Sequence, residues 1–149
     1  MTTFLRLMCL GALTTLLAAC GSGSANSSLP STYGSCDPGT PVQLARPAPG
    51  QTSVSTTQGS IEIVASGNQN TIGSNYQNFS LLLQPQNGGP IVSTSNLTPV
   101  ADTSGPHPFV QDFFYSGNVQ TLQFGTVYTV LLNEASLNCT PVAIGSFST

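Results

Sequence analysis

After residue 30 the chain alternates apolar and polar positions in short bursts, and no stretch there carries a convincing helical period. Ile61-Glu62-Ile63-Val64-Ala65 places Ile61, Ile63 and Ala65 on one face of an extended strand. Phe79-Ser80-Leu81-Leu82-Leu83 does the same for Phe79, Leu81 and Leu83. Asn87-Gly88-Gly89-Pro90 is a strong turn signal, so Ile91-Val92-Ser93-Thr94 reads as a short edge strand behind it. An aromatic-rich run over 109–115 precedes Ser116-Gly117-Asn118, which reads as another turn. Residues 119–123, 127–132 and 141–147 complete the strand candidates. Strands recurring about every ten residues, roughly seven to nine in all, predict an all-β fold of the β-sandwich type.

The start of the chain has a different pattern. Arg6 is the first charge, and residues 7–17 form an uncharged, largely apolar run. That run matches a signal-peptide hydrophobic region and is too short to span a bilayer as a helix. It ends in Leu17-Ala18-Ala19-Cys20, followed by Gly21-Ser22, which resembles the lipobox of bacterial lipoproteins. The resemblance implies cleavage before Cys20, diacylglycerol on its thiol, and two or three acyl chains, enough for stable anchoring. Gly21 stands where inner-membrane retention signals typically carry Asp, which favours an outer-membrane or surface location. The alternative is an ordinary secretory signal with a chance cysteine after Ala-Ala. The resulting organisation is a cleaved leader over 1–19, a lipidated and flexible Gly/Ser/Asn linker over 20–32, and one domain over 33–149.

Two segments of that domain resemble known families. Leu122-Gln123-Phe124-Gly125-Thr126-Val127-Tyr128-Thr129-Val130-Leu131-Leu132 is similar to the Leu-x-Pro-Gly-Thr-x-Tyr-x-Val-x-Val segment of fibronectin type III domains, with Phe124 in place of the proline. The resemblance implies a tyrosine corner at Tyr128, with Val130 and Leu132 pointing inward. Pro47-Ala48-Pro49-Gly50-Gln51-Thr52-Ser53-Val54 is similar to the opening of bacterial Ig-like domains. Their order along the chain implies an Ig-like or fibronectin type III-like sandwich. An unrelated sandwich or small barrel is the alternative.

Composition then narrows the function. Charged residues make up 5% of the chain, against roughly 25% in ordinary soluble domains. Lys is absent, and Arg46 is the one Arg outside the leader. Binding nucleic acid through its phosphates, or a membrane through a basic patch, is therefore excluded. Outside the leader and the lipidation position, Cys36 and Cys139 remain, and an exported chain usually pairs two such cysteines. Free thiols or a metal pair are the alternatives, but there is no CxxC spacing and no nearby His.

Candidate chemistry is sparse. His107, the only histidine, is flanked by Pro106 and Pro108. With Asp102 or Asp112 it would be needed for any Ser-His-Asp triad, but no Gly-x-Ser-x-Gly elbow accompanies it. A calcium site using Asp102 and Asp112 matches no loop motif. No cofactor and no metal is expected. Phe113, Phe114 and Tyr115, with His107 nearby, form a possible binding surface if alternation turns some of them outward. The competing reading is that both faces of this strand are covered. The expectation is a non-catalytic, lipid-anchored envelope module for binding, adhesion or structure, with a protein or glycan ligand. A carbohydrate-binding module or an accessory subunit of an envelope assembly is the runner-up, and an envelope hydrolase is the third reading.

Overall fold

The structure, a computed structural model, describes residues 34–67, 76–101 and 105–149. The expectations for the leader, Cys20, the linker and Asp102 fall outside the described residues. Among the described residues eight strands follow in order: β1 (Val42–Arg46), β2 (Ser60–Ser66), β3 (Phe79–Pro85), β4 (Val92–Ser93), β5 (Thr98–Val100), β6 (Asp112–Asn118), β7 (Val127–Glu134) and β8 (Val142–Ser148). A 3-10 turn, Tyr76–Asn78, leads into β3. Among the described residues no helix is long and apolar enough to cross a membrane.

The strands form two antiparallel four-stranded sheets, ordered β1-β2-β6-β5 and β4-β3-β7-β8. This is the A-B-E-D and C-F-G order of Ig-like sandwiches, with one extra short strand, β4, beside β3. Alternation explains the packing. Ile61, Ile63 and Ala65 of β2 face Phe79, Leu81 and Leu83 of β3 and Val130 and Leu132 of β7 within one buried cluster. Fully burying a Leu, Ile or Val side chain contributes roughly 1.5–3 kcal/mol, so these positions carry much of the fold.

The chain also crosses between the sheets on both sides. Beyond β1, Gly50 donates its amide to Ser146 O (2.7 Å) and Val54 to Ser148 O (2.9 Å), so residues 50–54 run beside β8 in the other sheet. Ser53, with φ of 58°, bends this stretch so that Val54 turns into the core. On the opposite side, Ser95 donates to Asn118 O and Leu97 to Phe79 O, so residues 95–97 bond to both sheets.

Several expectations change. Residues 119–123 are not a strand. They form a connection whose amides bond to Gly59 O (from Val119) and Thr56 O (from Leu122), while the Leu122 side chain plugs the core. Ser116-Gly117-Asn118 is not a turn but the last part of β6. That strand starts at Asp112 rather than at 109, because residues 105–111 fold over the outer face of the first sheet. β1 and β5 were not expected.

Candidate functional site

The register gives the sandwich two distinct ends. Cys36 donates its amide to Thr140 O (2.8 Å) and is joined by a disulfide to Cys139, with Cα atoms 5.1 Å apart. Ser35 also makes a parallel bridge with Thr140. The chain therefore enters the domain at the end that holds the β7–β8 connection. Asp37, His107, Asp112 and Glu134 all lie at or near this entry end. The opposite, far end is built from residues 47–59, 86–91 and 119–126, and none of these residues is ionisable. Arg46 and Glu62, with Nε and Oε2 3.8 Å apart, lie on the strands above it.

At the entry end Asp112 organises the loop before β6. Its Oδ1 accepts the Phe109 amide (3.0 Å) and its Oδ2 lies 3.0 Å from His107 Nδ1. The His107 ring meets the Phe114 ring edge-on at 5.5 Å. Phe114, Val64 and Ala45 form a small apolar cluster on the outer face, with Phe109 and Val100 packed against it. The His107–Asp112 pair thus fastens a loop over an apolar patch. Among the described residues no group of three or more His, Cys, Asp or Glu side chains is placed to hold a metal ion.

Of the two readings of the aromatic strand, the structure shows the one in which both faces are covered. Phe114 is 4% exposed and Tyr115 is 1% exposed, while Phe113 is half-buried against the main core. Alternation does send Phe114 to the outer face, but the 105–111 loop covers it there. None of the three rings presents an open platform. Tyr115 stacks on Tyr76 instead, with ring centroids 4.8 Å apart.

Tyr128 lies fully buried at the start of β7, and its hydroxyl accepts the Gln123 amide at 2.9 Å. This is the geometry of a tyrosine corner, bonding back to the connection between β6 and β7. Holding Gln123 fixes the next residues, and Phe124 is left 89% exposed at the tip.

Beside Phe124 the far end contains a cleft of about 400 Å³, lined by Ser53, Val54, Ser55, Thr56, Phe124 and Thr149. Thr149 Oγ1 donates to Gln123 O (2.6 Å) and accepts the Thr126 amide (3.1 Å), tying the base of the Phe124 turn. Ser55 Oγ and Thr57 Oγ1 are 3.0 Å apart in a local turn. No protein-family model, curated protein or solved structure matches this chain. Its site is therefore read from its own geometry. Sequence reasoning missed this cleft, although one signal was present: an aromatic residue in a turn where the resembling segment has proline.

Proposed function

We propose that this chain is a lipid-anchored protein of the bacterial cell envelope, whose Ig-like sandwich serves as a non-catalytic module for binding, adhesion or structure. The anchor rests on the Leu17-Ala18-Ala19-Cys20 sequence and the polar linker that follows it. The observation that carries the module reading is the polarity of the domain. Its chain entry is stapled at one end by Cys36–Cys139, and an uncharged loop cluster with an exposed aromatic lies at the other. A tether joined at the entry end leaves the far-end loops to meet a partner. Gly21 after the lipidation position favours the outer membrane or the surface.

The test is metabolic labelling of the full chain with palmitate in a bacterial host, with mass measurement of its N-terminal peptide. Acylated Cys20 and partition into detergent are expected, and both are lost in Cys20→Ala. Recovery of the wild-type chain in the aqueous phase with an unmodified thiol would overturn the proposal.

A further inference from the structure

The far-end cleft matches one class of ligand better than others. The side chains of its lining carry no charge, and the surrounding loops supply hydroxyls and amides: Gln51, Thr57, Gln58, Gln86, Asn87 and Gln123. Charged partners, whether nucleic acid, anionic lipid or acidic peptide, find no counter-charge in these loops. An extended peptide seeking a strand edge finds the β8 edge beside the cleft already bonded by residues 50–54. A ligand that offers many neutral hydrogen-bonding groups together with one apolar face fits both the polar lining and the exposed ring.

We infer that this cleft is a binding site for a neutral saccharide, with Phe124 stacking on a sugar ring and the hydroxyls of Ser53, Ser55 and Thr56 facing the ring's edge. The inference rests on the binding-module reading above and supplies its ligand class. Phe124 is suited to the role because its ring touches little of the protein: at 89% exposure it costs the free domain apolar hydration that a stacked ring would relieve. The turn beneath it is held, through the Tyr128–Gln123 bond and the Thr149 hydroxyl, so the ring stands on a fixed base. Ser53 adopts a backbone conformation uncommon for a residue with a side chain, and such positions cluster at ligand sites. The volume of about 400 Å³ lies within the range of small-molecule sites.

The experiment uses the full chain in detergent on an array carrying neutral hexose oligosaccharides, sialylated glycans and sulfated glycans, followed by calorimetric titration of the best-retained neutral oligosaccharide. Retention of neutral glycans is expected, with about tenfold weaker binding in Phe124→Ala and recovery in Phe124→Trp. The melting temperature should be unchanged in both variants, because the ring is outside the core. Each of three results overturns the inference: no neutral glycan retained, preference for the anionic glycans, or equal binding by Phe124→Ala. A photo-crosslinker at 124 that captures an envelope protein instead of glycan also overturns it. The mass of the N-terminal peptide is read independently, so a failed saccharide site and a failed anchor are told apart.

Discussion

Three tyrosines in one core meet two fates. Tyr128 buries its ring and satisfies its hydroxyl through the Gln123 amide. Tyr76 and Tyr115 bury theirs without a hydrogen-bonding partner, as does the Thr40 hydroxyl beside Tyr76. Burial pushes the Tyr76 phenol up from 10.0 to about 12; Thr40 lies close enough to pull against this, and Tyr115 and Asp37 add to it. Burial raises Tyr115 in the same direction. A phenol harder to ionise when folded leaves stability intact below the unfolded value and erodes it above, because the unfolded chain gives up its proton first. Loss is therefore expected between about pH 10 and 12, at no more than about 1.4 kcal/mol per pH unit from this one group. Tyr76→Phe should flatten that alkaline decline. It should also hold or raise stability at neutral pH, since an orphaned buried hydroxyl costs about 1–3 kcal/mol. Urea midpoints measured across the alkaline range check both signs, and a steeper decline in the variant would refute the account.

Among the elements, what the sequence made legible was side-chain alternation. The inward faces of β2, β3 and β7 follow directly from Ile61, Ile63, Ala65, Phe79, Leu81, Leu83, Val130 and Leu132. The errors came where one residue type serves two purposes. Gly117 looked like a turn residue, yet it lies inside β6 because a Cβ there would stand 2.6 Å from Thr94 Oγ1. Thr94 needs that space: its hydroxyl accepts the Leu81 amide and donates to Ser95 O, holding the crossing between the sheets. Pro99 hid β5, although proline is tolerated on an edge strand. The aromatic run was legible as a strand, but its outer cover was not, because Phe109 and the His107–Asp112 pair reach it through a loop. Only Phe124 signalled the far-end cleft, because its lining comes from three separated stretches. Gly117→Ala should cost about 1–3 kcal/mol by overpacking against Thr94, measured as a lower denaturation midpoint. An unchanged midpoint would mean the crossing has slack.

For the whole molecule the disulfide is the long-range constraint. Cys36 and Cys139 are 103 residues apart, and closing a loop of that length is nominally worth about 4–5 kcal/mol through the unfolded chain. Replacing both with Ser should lower stability by about 3–5 kcal/mol in guanidinium titrations, with the far end least affected. Loss of folding in reducing buffer would agree, whereas an unaltered midpoint would contradict the entropic account. The covalent tie also decides which strands carry tension. Suppose the far end grips something fixed while the N-terminal side is tugged. The pull arrives at Cys36, passes through sulfur to Cys139, and continues lengthwise down the β7–β8 hairpin to the turn bearing Phe124. β1, the strand nearest the tug, is bypassed and is not peeled from its neighbour. A reductant would reroute the same pull through β1, which also runs from the entry end to the far end, and load its bonds to β2 lengthwise instead.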